Sequence, residues 1–331
     1  MNYIGSKLRL SKWIQDEIIK TVGENLQDRV FCDIFAGTGA VAKLFKNRVK
    51  RVIANDIEYY SFVLNRNYIG NNKNIEDKKR YIEKLNALST RDDGFVYLNY
   101  CEGGGNKRLY FSDDNGKKID VVRKEIERYK DDEDLYYFLL ASLIESVDRV
   151  ANTASIYGSF LKRLKKTALK PFLLEPAVYE ESGNVHEVFQ CDANELIKKI
   201  KGDILYLDPP YNHRQYGANY HILNTIAEYK KFEPRGKSGL RDYYKSSYCK
   251  RNLVKKCMRD LIENAEFKYI FLSYNNEGLM SKDDIEDILR DYGEYSLSIK
   301  KYKRFKADKT EKRKHKADLT YEYLHILIKD L

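Results

Sequence analysis

The hydrophobic pattern along the chain switches repeatedly between the period of strands and the period of helices. Short apolar runs typical of buried parallel strands lie at residues 30–35, 51–55, 185–190, 204–207 and 266–273. Helical spacing marks residues 8–22, 40–45, 193–200 and 282–292, and two alternating segments at 295–302 and 319–328 are typical of a hairpin. This order predicts an α/β fold with a doubly wound, mostly parallel sheet and a C-terminal antiparallel hairpin.

Residues 71–183 interrupt this alternation. A polar stretch rich in glycine, Glu102-Gly103-Gly104-Gly105, is followed by long helical patterns such as residues 136–150. The 331 residues are enough for one large core and an added module, because single cores stop growing near about 250–300 residues. We therefore expect a main domain formed by residues 1–70 and 184–331, with a mainly helical subdomain inserted at 71–183.

Basic residues outnumber acidic residues and are clustered. The chain has 60 Lys and Arg against 50 Asp and Glu, a net charge of +10, and dense basic runs occupy residues 300–316 and 161–170. Such runs are either solvated faces or binding surfaces for a polyanion, and their clustering favours a polyanionic partner such as nucleic acid. In the second run, the residues expected to bind it are Lys162, Arg163, Lys165 and Lys166.

The cysteine and hydrophobicity patterns exclude several classes of protein. The five cysteines are scattered and form no C-x-x-C pair, so neither a metal site nor a disulfide framework is predicted. No stretch approaches the ~18 apolar residues of a membrane span, and the first residues lack the apolar region of a signal peptide. We expect a soluble, cytoplasmic protein without a membrane partner.

A glycine turn with an unusual acid follows the first predicted strand, in Asp33-Ile34-Phe35-Ala36-Gly37-Thr38-Gly39. Its glycines let the backbone turn sharply and approach a ligand closely. It only partly matches the dinucleotide pattern G-x-G-x-x-G, because Ala42 stands at the third glycine, and no G-K-[ST] follows for a P-loop. An acid beside the glycines disfavours pyrophosphate and favours a cationic ligand, such as the amino-acid end of a sulfonium cofactor.

Two more acids follow predicted strands. Asp56, with Ile57 after it, ends the second strand and can accept hydrogen bonds from both hydroxyls of a ribose, or cap a helix or turn. Asp192 follows the third strand and can accept a hydrogen bond from the adenine amino group of a cofactor, or be the N-cap of residues 193–200. With Asp33, the three strand ends favour S-adenosylmethionine.

The tetrapeptide Asp208-Pro209-Pro210-Tyr211 closes the apolar run 204–207, where open α/β sheets hold their ligands. Asp208, which we also expect to border the cofactor, and the carbonyl of Pro209 can accept both hydrogens of an exocyclic amino group and free its lone pair for methyl transfer. The prolines fix this geometry and add no competing N–H. Tyr211 can stack on the base, at about 1–3 kcal/mol. Alone, the motif could be a simple turn; with three acidic strand ends it predicts methylation of a nucleobase.

Together, Asn2-Tyr3-Ile4-Gly5-Ser6-Lys7, the loop 33–39, the strand-end acids and Asp208 to Tyr211 resemble the adenine-specific DNA methyltransferases of the alpha arrangement, in which the cofactor motif precedes DPPY. The resemblance extends from residue 2 to about 220. It implies a Rossmann-like class I S-adenosylmethionine-dependent fold and methylation of N6 of a flipped-out adenine in duplex DNA. It also implies cofactor contacts for Tyr3 and Lys7, and a place in a restriction-modification system, with an independent cognate endonuclease, or as an orphan enzyme.

The resemblance implies the chemistry more directly than the DNA sequence that is recognised. We expect residues 71–183 to recognise the target, and the loop 212–221, with Arg214 and Tyr216, to close over DNA and become ordered only when DNA binds. One alternative is an RNA amino-group methyltransferase, although the long insertion favours DNA. Another is a non-catalytic DNA-binding regulator that retains the fold.

Overall fold

A computed structural model of the protein describes residues 7–90, 93–303 and 319–330. Its strands form one seven-stranded sheet with the order β3-β2-β1-β4-β5-β7-β6. They are β1 (Val30–Asp33), β2 (Arg51–Asn55), β3 (Glu187–Phe189), β4 (Lys201–Leu207), β5 (Glu266–Asn275), β6 (Gly293–Lys303) and β7 (Leu319–Lys329). The first five strands are parallel, and β7 pairs antiparallel with both β5 and β6. The predicted fold class is confirmed.

The helices fall into two compact units. In chain order they are α1 (Ser11–Val22), α2 (Ala42–Phe45), α3 (Tyr59–Asn65), α4 (Lys78–Ala87), α5 (Phe95–Tyr100), α6 (Asp113–Ile126), α7 (Glu133–Val150), α8 (Ala193–Leu196), α9 (Tyr216–Asn219), α10 (His221–Glu228), α11 (Val254–Asn264) and α12 (Lys282–Arg290). Of the described residues, the sheet unit comprises 7–57, 182–215, 245–303 and 319–330, and the helical unit comprises 58–90, 93–181 and 216–244.

In the sheet unit, alternate strand residues bury opposite faces of the sheet. Cys32, Leu205 and Ile270 pack with apolar side chains of α8, α11 and α12 in one core. Phe31, one residue away from Cys32, points to the other face and stacks on Phe45 of α2 with ring centroids 4.1 Å apart. Because successive strand side chains alternate between faces, apolar runs without polar gaps are what a sheet covered on both sides requires.

The helical unit has its own core, built around α7. Of the eighteen residues of α7, twelve are buried, which is why the apolar pattern is nearly continuous around this helix. Buried Arg123 of α6 donates hydrogen bonds to the carbonyls of Ile226 and Ala227 and to the hydroxyl of Tyr136. It thus satisfies carbonyls at the C-terminal end of α10, which have no partner within the helix.

The division into these two units differs from the expected domain boundaries of 71 and 183. Residues 58–70 belong to the helical unit, because α3 packs on α7 and α10. Residues 216–244 also belong to it, and the side chain of Asn224 on α10 accepts a hydrogen bond from the backbone of Tyr60 at 2.9 Å. The role of residues 71–183 in target recognition stays a prediction.

Two expectations from composition can be compared with the structure. None of the helices in the described ranges is long and apolar enough to span a membrane. The five cysteines are free thiols, and the described residues contain no group of three or more His, Cys, Asp or Glu side chains suited to a metal ion.

Candidate active site

The carboxyl end of β1 carries a buried acid that lacks a partner for one oxygen. Asp33 is 1% exposed, and its Oδ1 has no hydrogen-bond partner. Desolvation raises the pKa of Asp33 well above its ordinary value, the nearby Asp208 and Asp56 raise it further, and the amides of Ala42 and Phe35 oppose the shift. A buried polar atom without a partner is costly, so this oxygen is suited to receive a ligand.

The glycine turn after Asp33 has the backbone conformation that its sequence predicts. Gly37 and Gly39 have φ of 52° and 73°, in the left-handed region where a side chain is strained. The Gly37 amide donates to Oδ2 of Asp56 at 2.9 Å, and the Ala36 amide donates to the carbonyl of Asn55 at 2.8 Å. The turn and the end of β2 are therefore held side by side, with Thr38 between the glycines.

Asn55 joins three strand ends and was not predicted as a site residue. Its buried Nδ2 donates to the carbonyls of Ile34 and Cys191 at 3.0 and 3.1 Å, and its Oδ1 accepts from the Cys191 amide at 3.0 Å. It thereby fixes the segments that carry Asp33, Asp56 and Asp192. The sequence feature that could have identified Asn55 is a polar residue at the end of an otherwise apolar strand.

Asp192 is the N-cap of α8, which was the structural alternative for this residue. Its Oδ1 accepts hydrogen bonds from the amides of Asn194 and Glu195 at 2.9 and 3.3 Å. Contact with a cofactor adenine stays a prediction. Two other predicted site residues lie nearby in the fold: Phe35 packs edge-on against Tyr248, and the Ile57 carbonyl accepts a hydrogen bond from Gln190.

At the end of β4, Asp208 belongs to a cluster of one cation and two carboxylates. Lys7 Nζ lies 2.7 Å from Oδ1 of Asp208 and 3.2 Å from Oε1 of Glu322, and the three side chains are only 8%, 17% and 2% exposed. The register pairs Asp33 with Tyr206, so Asp208 follows two residues beyond the level of Asp33 on the neighbouring strand. The sequence predicted Lys7 and Asp208 but missed Glu322.

The charges in this cluster are shifted by burial and by one another. Desolvation raises the pKa of Asp208 to about 6, the carboxylate of Glu322 adds to this shift, and Lys7 opposes it. Desolvation alone would lower the pKa of Lys7, but the two carboxylates together raise it well above its ordinary value. At neutral pH the site therefore holds a charged ammonium against an ionised Asp208.

The rest of the tetrapeptide forms a rigid exit from β4. Pro209 is buried, and the Tyr211 carbonyl accepts a hydrogen bond from the Leu279 amide at 2.9 Å. The half-buried ring of Tyr211 packs edge-on against Tyr274, with centroids 6.3 Å apart. Pro210 is also half-buried and lies between Pro209 and Tyr211, which are both held by their surroundings.

Sequence comparisons agree with this arrangement. The family model described as "D12 class N6 adenine-specific DNA methyltransferase" matches residues 3–288. This chain belongs to that family. Type II methyltransferase M.NlaIII from Neisseria lactamica is 59% identical over 99% of both chains. M.CviAII from Paramecium bursaria Chlorella virus 1 is 41% identical over 93% of both, and M.FokI from Planomicrobium okeanokoites is 37% identical over all of this chain and 53% of its own length.

The D12 assignment decides between the alternatives left open by the sequence. The protein is an enzyme that methylates adenine N6 in DNA, as predicted, and the RNA methyltransferase and the non-catalytic regulator are not supported. Tyr3 and most of the basic run at 300–316 lie outside the described residues, so their expected contacts with cofactor and DNA stay predictions.

The segment after the tetrapeptide differs from the expected DNA-closing loop. Arg214 is exposed, but Tyr216 begins α9 and stacks on Tyr220 with centroids 6.1 Å apart. Tyr220 and His221 are 0% exposed and belong to the core of the helical unit. The second half of the loop thus packs in a core, and the ordering of the loop 212–221 on DNA binding stays a prediction. Contact of Arg214 and Tyr216 with DNA stays a prediction.

The basic run of the helical unit is fixed by one buried asparagine. Nδ2 of Asn152 donates to the carbonyls of Leu109 and Leu161, and its Oδ1 accepts from the Lys165 amide. The Lys165 ammonium donates to the Thr153 carbonyl at 2.8 Å, and desolvation lowers the pKa of this lysine. The expected DNA contact of Lys165 therefore competes with an internal bond. Of the four residues of the run that were expected to bind DNA, three are exposed: Lys162, Arg163 and Lys166.

Proposed function

We propose that this D12 enzyme takes its methyl group from S-adenosylmethionine, bound at the ends of β1, β2 and β3. S-adenosylmethionine supplies a methyl group on a positively charged sulfur. The observation that carries the proposal is the buried carboxyl of Asp33, whose Oδ1 has no hydrogen-bond partner beside a turn with two left-handed glycines. A cationic ligand would restore the charge of this carboxylate, because opposite charge favours ionisation.

Each residue at these strand ends then has a defined task. Asp33 holds the amino-acid end of the donor, and the absence of side chains at Gly37 and Gly39 lets it approach the backbone. Asp56 binds the ribose hydroxyls while its Oδ2 keeps the Gly37 amide. Asp192 receives the adenine amino group of the donor with the carboxylate that caps α8.

Asp208 and Pro209 prepare the target nitrogen for attack. Ionised Asp208 and the Pro209 carbonyl accept the two amino hydrogens, which favours a pyramidal nitrogen with an available lone pair. The nitrogen would bond to the methyl carbon as the bond from that carbon to the donor's sulfur breaks, so that the donor leaves as a neutral thioether and the methylated nitrogen loses one proton to solvent. Tyr211 stacks on the adenine, and this contact of about 1–3 kcal/mol offsets part of the few kcal/mol needed to flip the base.

Two substitutions separate donor binding from methyl transfer. Asp208→Ala should abolish methylation of duplex DNA and leave S-adenosylmethionine binding largely intact in calorimetry. Asp33→Ala should weaken donor binding itself, and Asp283→Ala, an exposed acid on α12, is the matched control. Activity retained by Asp208→Ala, or donor affinity retained by Asp33→Ala, would refute the respective role.

For DNA, we propose that Lys162, Arg163 and Lys166 contact phosphates of the duplex. A neighbouring basic turn extends this surface: Ser238 donates to the Gly158 carbonyl at 2.7 Å, which holds exposed Lys237 close to the run. Phosphate contacts of this kind position the protein and give affinity, whereas base contacts give specificity. Residues 71–183 are the proposed source of the base contacts.

We further propose that the enzyme protects DNA from a separate endonuclease in a restriction-modification system. Support comes from two relatives that are named type II methyltransferases and match more than nine-tenths of this chain. Expression in a host, followed by sequencing that detects N6-methyladenine, should find the modification within one constant sequence. Methylation scattered over unrelated sequences would refute site specificity. Action in the cytoplasm, where bacterial DNA lies, is part of the same proposal.

A further inference from the structure

Glu322 is a buried acid next to Lys7 and Asp208. It lies on β7, where its backbone pairs with Asn275 of β5 and Lys300 of β6, and it is 1% exposed. β7 follows residue 288, where the match to the D12 family model ends. A fully buried glutamate is rare unless it is paired, so its partners define its role.

The partners of Glu322 tie it to Asp208 through one lysine. Ser273 Oγ donates to Oε1 of Glu322 at 2.6 Å, and the Lys7 ammonium lies 3.2 Å from the same oxygen. The ammonium is closer to Asp208, at 2.7 Å from Oδ1. The ammonium of Lys7 thus contacts two carboxylates, one directly after β4 and one on β7.

With the ammonium of Lys7 on Oδ1, this oxygen of Asp208 can accept the adenine amino group only if Lys7 changes partners. In the structure, the ammonium occupies an oxygen of the carboxylate that accepts the adenine amino group in the proposed mechanism. Release of Lys7 frees Oδ1 and makes the full charge of the carboxylate available to the adenine. A buried ammonium without a partner is strongly unfavourable, so the release requires a second anion within reach.

We propose that Glu322 is a positioning residue that takes over the ammonium of Lys7 when the target adenine binds to Asp208. The proposal rests on the proposed role of Asp208. Ser273 orients the carboxylate of Glu322 by its hydrogen bond, and only a short movement of Nζ is needed, since Lys7 already lies 3.2 Å from the new partner. The proton stays on Lys7 throughout, and no covalent step is involved.

Glu322→Gln removes the negative charge of this side chain but keeps its shape. The amide also keeps an oxygen that can accept the hydrogen bond from Ser273. Lys7 then has Asp208 as its one anionic partner in this cluster, so the adenine competes less well for Asp208. We expect kcat to fall by about tenfold or more, the size of one charge-assisted hydrogen bond, with the KM for S-adenosylmethionine unchanged. Glu322→Asp should recover part of kcat, and Glu294→Gln, an exposed acid on β6, is the matched control.

Two further measurements separate this role from a merely structural one. The charge of Glu322 raises the pKa of Asp208. In Glu322→Gln, the decrease of kcat/KM for DNA on the acidic side of the pH profile (its acid limb) should therefore occur at lower pH. With Lys7→Met in the background, Glu322→Gln should have little added effect, because the two residues act as one unit. The melting temperature of each variant identifies any loss of folding.

The outcomes distinguish this inference from the proposed function. If Asp208→Ala abolishes methylation while Glu322→Gln keeps wild-type kcat and an unmoved acid limb, the positioning role of Glu322 is refuted and the proposed function stands. An additive loss in the Lys7→Met background would also overturn it. If Asp208→Ala remains active, the proposed function fails, whatever Glu322→Gln does.

Discussion

The raised pKa of Asp208 gives the enzyme a predicted loss of activity at mildly acidic pH. In the proposed mechanism Asp208 must be ionised to accept the amino hydrogens, and its pKa of about 6 lies well above the ordinary 3.8. Activity should therefore be present above about pH 6 and be lost as the pH falls through this value. With a pKa of about 6, about a tenth of Asp208 is ionised at pH 5, whereas about nine-tenths would be ionised with an unshifted pKa.

The assay measures kcat/KM for duplex DNA at saturating S-adenosylmethionine. The pH dependence of this ratio reports the pKa values of ionisable groups in the enzyme before it binds DNA. Between pH 7.5 and pH 5 we expect a decrease of about tenfold. DNA binding by fluorescence anisotropy and circular dichroism at each pH serve as controls for weaker binding and for unfolding. A decrease of less than about twofold, with folding and DNA binding intact, would refute the raised pKa or the need for the ionised form.

Three more predictions concern other parts of the chain. In a triple variant with alanine at Lys162, Arg163 and Lys166, the DNA association constant should depend less steeply on salt concentration. The slope of its logarithm against the logarithm of the salt concentration should become shallower by up to about 2.7, because each phosphate that is no longer neutralised accounts for about 0.9. Asn152→Ala should weaken DNA binding without removing a charge, and also lower the melting temperature, because the buried groups it bonds lose their partner. Arg123→Met should lower the free energy of unfolding by about 1–3 kcal/mol in denaturant titration, because buried carbonyls of α10 lose their donor.

Two of these predictions have a matched control variant, and all three have an outcome that would contradict them. Alanine at Lys12 and Lys20, exposed on α1, should leave the salt slope for DNA unchanged; an equal change there would make the proposed surface non-specific. For Asn152→Ala, unchanged DNA affinity despite a lower melting temperature would separate the basic run from DNA binding. For Arg123→Met, the exposed Arg128 is the control, and an equal loss of stability in both variants would contradict the capping role.

Local periodicity was enough to predict the sheet and the positions of the motif residues. Every predicted strand overlaps an observed one, because short apolar runs bounded by turn residues are typical of strands in an α/β domain. Asp33 and Asp208 could be assigned to strand ends for the same reason. Their roles rest on chemistry and on the family, not on periodicity.

What the sequence could not supply was the pairing of residues far apart in the chain. Lys7 meets Asp208 and Glu322 through a separation of more than two hundred positions, and only the strand order brings β7 beside β5. Likewise, the aromatic residues of 216–221 were expected to serve DNA because their neighbours are basic, but Tyr220 is buried in the core. Composition describes the surface a segment could form, whereas packing decides which side chains remain there.

The division of the helical unit between residues 58–181 and 216–244 has a practical consequence for engineering. The chain passes between the two units at 57/58, 181/182, 215/216 and 244/245, so the unit is not a cassette with one entry and one exit. A graft that transferred 58–181 alone would leave α3 and α7 without α10, and would expose the apolar surface that α10 covers. If residues 71–183 recognise the target as proposed, an exchange of DNA specificity between relatives should move 58–181 and 216–244 together and leave β4 and the tetrapeptide after it in place.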